Sequence, residues 1–133
     1  VSKDDESVKK YSVKMMDKSD VIKNADFLTL HIPLTDETKY IINKESIYTM
    51  KTGAYLVNTA RGELVDEDAL YDALVSGKLA GAAADVFSKE PPEGHKLLEL
   101  DNFILVAHMG AYTKEANEKM ALKSAENLIR MLQ

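Results

Sequence analysis

Four short apolar runs, each followed by a polar or helix-patterned stretch, constrain this chain more than anything else in it. They are Phe27-Leu28-Thr29-Leu30-His31-Ile32, Ala54-Tyr55-Leu56-Val57, the Ala- and Gly-rich stretch from Leu79 to Val86, and Phe103-Ile104-Leu105-Val106. A near-continuous apolar run of this length reads as a strand covered on both faces. Helical patterns fill the intervals. Asn43 is placed as an N-cap with Ile42 and Ile47 as a hydrophobic staple, and Gly53 ends that helix. Asp66 caps a second helix whose Ala69, Leu70, Ala73 and Leu74 share one face; Val65 and Leu70 form its staple and Gly77 its stop. A last helix, from about Lys114 to Leu132, carries Ala121, Ala125, Leu128, Ile129 and Leu132 along one stripe. This alternation predicts an α/β fold with a parallel sheet and right-handed crossovers.

The remaining segments are less patterned. Residues 1–12 are polar and read as a loose entry or a short helix. Val13-Lys14-Met15-Met16 reads as a short strand, with Asp17 capping a short helix to about Asn24. Residues 88–101 form a longer connection without clear periodicity. No internal repeat or Pro/Gly/Ser-rich linker interrupts the chain, so residues 1–133 read as a single domain.

Composition narrows the function. A formal net charge of -5 argues against nonspecific nucleic-acid binding, which basic surface drives. The apolar stretches are too short to span a bilayer, and the polar N-terminus is no signal peptide. Zero cysteines exclude disulfides, thiolate catalysis and Cys-ligated metal, and fit a cytoplasmic protein. No metal site is expected.

Three chemistry-bearing residues directly follow apolar runs: Arg61 in Asn58-Thr59-Ala60-Arg61-Gly62, Glu90 before Pro91-Pro92, and His108 in Ala107-His108-Met109-Gly110. Side chains leaving the ends of parallel strands converge on one crevice. The guanidinium is a planar fork suited to a carboxylate. Imidazole is the side chain whose ordinary pKa lies near neutrality, and a nearby carboxylate favours its charged form and fixes its tautomer. Each residue also has a plainer reading: a surface arginine before a helix, a solvated turn carboxylate, a hydrogen-bonded structural histidine. No Gly-x-Gly-x-x-Gly occurs anywhere in the chain.

Taken together, the segments resemble the D-isomer-specific 2-hydroxyacid dehydrogenases, most closely the D-3-phosphoglycerate dehydrogenase branch. The resemblance runs from about Asp26 to Leu132. It rests on Leu30-His31-Ile32-Pro33-Leu34-Thr35, on Val57 to Asp66, on Asp85-Val86-Phe87 with Glu90-Pro91-Pro92, and on His108-Met109-Gly110-Ala111-Tyr112-Thr113. It implies a partial Rossmann-like, doubly wound parallel sheet with helices on both faces, lacking the first βαβ unit. By the same resemblance Arg61 holds the substrate carboxylate or polarises its keto oxygen, His108 moves the hydroxyl proton, and Glu90 is its partner. NAD is the implied cofactor, with NADP left open. Ile32 and Pro33 would line its adenosine side; Thr59, Ala60, Gly110 and Ala111 would lie near the nicotinamide, together with Arg61 and His108, and Asp85 would bond its carboxamide. His31 is expected to be packed or a backbone contact, His95 exposed, and Asp66 a helix cap.

Family members place a substrate domain and the Gly-rich pyrophosphate turn before the part matched here. The chain therefore reads as the C-terminal portion of a dinucleotide-binding domain: a fragment, a proteolytic product or a deliberately made piece, with little activity of its own. The implied reaction is hydride transfer between nicotinamide and a D-2-hydroxy acid. The substrate expected first is 3-phosphoglycerate, giving 3-phosphohydroxypyruvate in serine biosynthesis. A glyoxylate or hydroxypyruvate reductase, or a non-catalytic scaffold or corepressor of the same fold, is the alternative. In the family's sheet the strand at 27–32 is central and pairs with the first strand of the domain. Its bare edge leads to two expectations: residues 13–16 moving in beside 27–32 as a local right-handed βαβ unit, or two chains pairing into a homodimer. The homodimer is preferred because Val13–Met16 is short.

Overall fold

The apolar runs do form strands. In a computed structural model, which describes residues 5–132, β1 (Phe27–Leu30), β2 (Ala54–Asn58), β3 (Leu79–Ala84) and β4 (Phe103–Leu105) build one sheet. All pairings are parallel and the strand order is β1-β2-β3-β4. The helices are α1 (Asp5–Lys10), α2 (Lys18–Asn24), α3 (Lys44–Thr49), α4 (Glu67–Val75) and α5 (Lys114–Met131), with 3-10 turns at Gly62–Leu64 and Lys96–Glu99.

Local chemistry starts the helices where the sequence placed them. The Asn43 side chain accepts from the Ser46 amide, and the Ser46 hydroxyl accepts from the Asn43 amide, which closes a capping box on α3. Asp66 accepts from the amides of Asp68 and Ala69. Caps of this kind contribute about 1 kcal/mol each. Asp17 occupies the N-cap position of α2 without a side-chain cap bond. The four residues of the two staples, Ile42, Ile47, Val65 and Leu70, are all buried in the core.

The core lies on one face of the sheet. Leu28, Leu30, Ala54, Leu56, Leu79, Ala82 and Phe103 pack there against Ile22 of α2, Ile47 of α3, Ala69, Leu70, Ala73 and Leu74 of α4, and Leu97. Helices on both faces were expected, and here the structure differs. Among the described residues the opposite face is left open, with Phe27 and Ile104 well exposed, and α5 has no buried residue. The reason is topological. Right-handed crossovers that always step in the same direction deliver every connection to the same face. Covering the second face requires strands that step the other way from β1.

The expected strand at Val13–Met16 is also absent. The Val13 amide bonds back to the Val8 carbonyl, closing the turn after α1, and all four residues are exposed coil. Without a buried alternate face nothing pins such a segment in a ladder.

Candidate active site

The ends of β2, β3 and β4 point the same way, so the segments that follow them gather along one edge of the molecule. After β2 the chain must turn at once. Asn58 is buried, its Nδ2 donating to the Arg61 carbonyl at 2.8 Å and its Oδ1 accepting from the Ala60 amide at 3.1 Å. This Asx-type turn holds Thr59, Ala60 and Arg61 at the strand's exit. Arg61 is exposed, and its guanidinium donates to the Ala60 carbonyl at 2.6 Å.

After β3, Asp85 organises the third segment. Its carboxylate accepts from the amides of Met109 (2.7 Å) and Gly110 (3.1 Å), and its carbonyl accepts from the His108 amide at 2.9 Å. These three bonds hold His108 at φ 52, a left-handed conformation that costs a non-glycine residue about 1–3 kcal/mol. Strain of that size persists only where surrounding contacts impose it, and it marks His108 as a held residue rather than a loose surface one.

Held there, His108 meets Glu90. Its Nδ1 lies 2.7 Å from Glu90 Oε2, while Glu90 Oε1 accepts from the Phe87 amide at 2.9 Å. The Glu90 carboxyl is depressed below its ordinary range, first by the His108 hydrogen bond and then by the Phe87 amide, with the positive charges of His108 and Arg61 adding to the effect against a desolvation that opposes it. A carboxylate only accepts, so a neutral His108 carries its proton on Nδ1 and presents Nε2 as the free acceptor. An open cleft of about 300 Å³, lined by Asp85, Phe87, Glu90, Pro91, Pro92 and His108, lies beside the pair.

The other expected residues are placed as follows. Ile32 is half-buried against the core and Pro33 exposed, both just beyond β1; the Pro33 carbonyl accepts from the Thr38 hydroxyl. Thr59 is exposed, and Ala60 and Ala111 are half-buried. His31 is neither packed nor bonded to backbone: it is exposed and its Nε2 pairs with the Thr29 hydroxyl at 2.9 Å. His95 is not a free surface residue either. It is half-buried, accepts from the Leu97 amide and faces Glu67. Asn58 was missed in the sequence, although a polar residue ending an apolar run before a turn is a recognisable signal. Glu67 was missed too, and no periodicity could have found it.

Open parallel α/β sheets bind their ligands in the crevice outside the carboxyl ends of the strands, and that is where the segments bearing Arg61, Glu90 and His108 lie. Residues 1–110 match the family "D-isomer specific 2-hydroxyacid dehydrogenase, NAD binding domain", and the chain belongs to that family. It is 46% identical over 123 residues to a hydroxypyruvate reductase of Thermotoga maritima, covering 90% of this chain and 40% of that protein. It is 49% identical over 116 residues to a D-3-phosphoglycerate dehydrogenase of Methanocaldococcus jannaschii, covering 87% and 22%. Among solved structures, D-lactate dehydrogenase from Aquifex aeolicus, complexed with NAD and lactic acid, superimposes with a TM-score of 0.86 at 35% identity, covering 99% of this chain and 44% of that one. The chain thus spans less than half the length of these relatives. Among its described residues no helix is long and apolar enough to cross a membrane.

Proposed function

We propose that this chain supplies the catalytic edge of an NAD-dependent D-2-hydroxyacid dehydrogenase, as the C-terminal portion of its dinucleotide-binding domain. The observation that carries the reading is the His108–Glu90 pair at 2.7 Å, with Arg61 close enough to act on the same carboxylate. His108 Nε2 takes the substrate hydroxyl proton as the carbinol carbon gives up its hydride, and returns that proton in reduction. Glu90 fixes the tautomer that leaves Nε2 free. Arg61 holds the carboxylate beside the reacting carbon through its two-point fork.

The residues present fit the nicotinamide end of NAD. Each Asp85 oxygen accepts one backbone amide and keeps a lone pair for a carboxamide N–H, and a Cβ at position 110 would lie 3.3 Å from Asp85 Oδ2. Thr59, Ala60, Gly110 and Ala111 would flank it, with Ile32 and Pro33 toward the adenosine. When bound, NAD supplies the hydride acceptor; a relative from Xanthobacter autotrophicus is described in complex with NADPH, so NADP remains a second candidate.

3-Phosphoglycerate is our first choice of substrate, within serine biosynthesis in the cytoplasm. Hydroxypyruvate and glyoxylate carry the same carboxylate next to a carbonyl, which is the part Arg61 reads. The deciding assay uses a longer protein that joins this chain to the family's remaining segments. NAD reduction with 3-phosphoglycerate is expected, against NADH oxidation with hydroxypyruvate and glyoxylate for the alternative. His108→Gln should lower turnover by about 10²–10⁴-fold, and Arg61→Lys should chiefly raise KM. Near-normal turnover of His108→Gln across the pH range would overturn the acid–base role, and an unaltered longer protein that turns over none of the three acids would favour a non-catalytic scaffold.

A further inference from the structure

The loop that carries Glu90 is tied near both ends to a single carboxylate. Glu67, in the first turn of α4, accepts from the Ser88 amide at 2.8 Å through Oε1 and from the Ser88 hydroxyl at 2.6 Å through Oε2. The same Oε2 lies 3.3 Å from His95 Nε2. Ser88 opens the loop, His95 closes it, and Glu90 lies between them.

The histidine is locked in one protonation pattern. Its Nδ1 accepts from the Leu97 amide, capping the 3-10 turn at Lys96–Glu99, so the proton of the neutral ring sits on Nε2 and is directed to Glu67. The ring also packs edge-on against Phe87, centroid to centroid 5.4 Å, and it is the Phe87 amide that donates to Glu90 Oε1. The Glu67 side chain is only 16% exposed and that of His95 25% exposed, so water competes weakly for these bonds. Of the other charged groups here, Lys96 is occupied by Asp68 at 2.6 Å and lies over the Tyr71 ring, while Asp66 is spent on the α4 cap.

We propose that Glu67, with Ser88 and His95, is a positioning latch: it fixes the loop between residues 88 and 95 so that the Glu90 carboxylate selects the Nδ1–H tautomer of His108. The inference rests on the His108–Glu90 pairing proposed above. Glu90 itself is on an exposed turn whose ordering costs conformational entropy. A side chain that orients a proton carrier works only if its own support is fixed, as with the outer-sphere partners of metal ligands. Glu67 provides that support from a helix rather than from another loop.

The test reads the His108 tautomer directly, by ¹⁵N–¹H correlation spectra of the chain labelled at histidine, at a pH where the ring is neutral. In the unaltered chain the Nδ1–H form should dominate. Glu90→Ala lowers its share and sets the scale of complete loss. Glu67→Ala should move the share at least halfway to that value, and Ser88→Ala by a smaller step. Asn43→Ala, which removes a helix cap outside the latch, should leave the share unchanged although it weakens the fold. A folded Glu67→Ala chain with the unaltered share overturns the latch. If Glu67→Ala does not fold, Glu67→Gln decides: it keeps one acceptor for the Ser88 amide and loses the other, so an unchanged share again overturns the latch. If Glu90→Ala leaves the share unmoved, the pairing itself fails and the latch fails with it.

Discussion

Gly62 lies against the backbone of Phe87 so closely that a Cβ at position 62 would stand 1.9 Å from the Phe87 carbonyl carbon and 2.2 Å from the Ser88 nitrogen. Glycine is therefore what lets the turn bearing Arg61 rest on the loop bearing Glu90. The space is closed by main chain, which cannot swing aside as a side chain can. Gly62→Ala is expected to push the two loops apart and to cost at least the 1–3 kcal/mol, roughly, of core overpacking. Urea denaturation would read the loss, and amide shifts at Phe87 and Ser88 would locate it. An alanine variant with the original midpoint and undisturbed amides would show that the loops are not in contact in solution.

The Glu90 carboxyl gives an acid-side signature. Its pKa is depressed in the folded chain by the His108 hydrogen bond above all. A depressed carboxyl stabilises the fold fully above its unfolded-state value, and that contribution disappears as pH falls through the depressed one. Glu90 is about a third exposed (36%), so the contribution is small. Stability measured against pH should fall more steeply below the ordinary glutamate range in the unaltered chain than in Glu90→Gln. Parallel curves through that window would mean that the pair adds nothing to folding.

The strands, caps and staples were legible because each is written in a few neighbouring residues. The caps Asn43 and Asp66 and the staple of Ile42 with Ile47 are each written within one or two helical turns, so composition and spacing reveal them. The single-faced sheet was not legible, because the direction of strand stepping is a property of the whole sheet rather than of any run. His95 was read as exposed because nothing in its own neighbourhood points to Glu67, which lies 28 positions earlier. Val13–Met16 has strand-like residues but no partner, and propensity alone does not make a ladder. The residues Arg61, Glu90 and His108 were located by their position after apolar runs; that Glu90 would meet His108 came from the resemblance.

Asp85 offers a test of how the His108 segment is held. Both its oxygens accept loop amides, from Met109 and Gly110. Asparagine of the same shape has one acceptor and an NH₂ that cannot accept. Asp85→Asn should therefore release one of the two amides and relax the left-handed turn at His108. A hydrogen bond to a charged group is worth about 1.5–3 kcal/mol, and the lower end applies in an open loop. Hydrogen exchange at Met109 or Gly110 should quicken by roughly tenfold. Unchanged protection at both amides would mean that another contact fixes the turn.

The open sheet face bears on assembly. Phe27 is 72% exposed and stacks on Tyr55 at 5.0 Å, while Ile104 is 65% exposed, so aromatic and aliphatic surface lies on the uncovered side of β1, β2 and β4. Among the described residues the outer edge of β1 also has no strand beside it. An apolar face continuous with an unpaired edge is a template for association. We therefore expect light scattering to report mass rising with concentration toward a dimer. Phe27→Lys combined with Ile104→Lys should shift that equilibrium toward monomer. Ile104 is largely in solvent in the single chain, so its exchange should alter folding stability by no more than about 0.5 kcal/mol, while Phe27→Lys also gives up the Tyr55 stacking, about 0.5–1.5 kcal/mol. The single Ile104→Lys variant separates an effect on association from one on folding, because its melting midpoint at low concentration should stay in place. A chain that remains monomeric at every concentration, or a lysine double variant that associates as readily as the original, would defeat the assignment of this face to self-pairing.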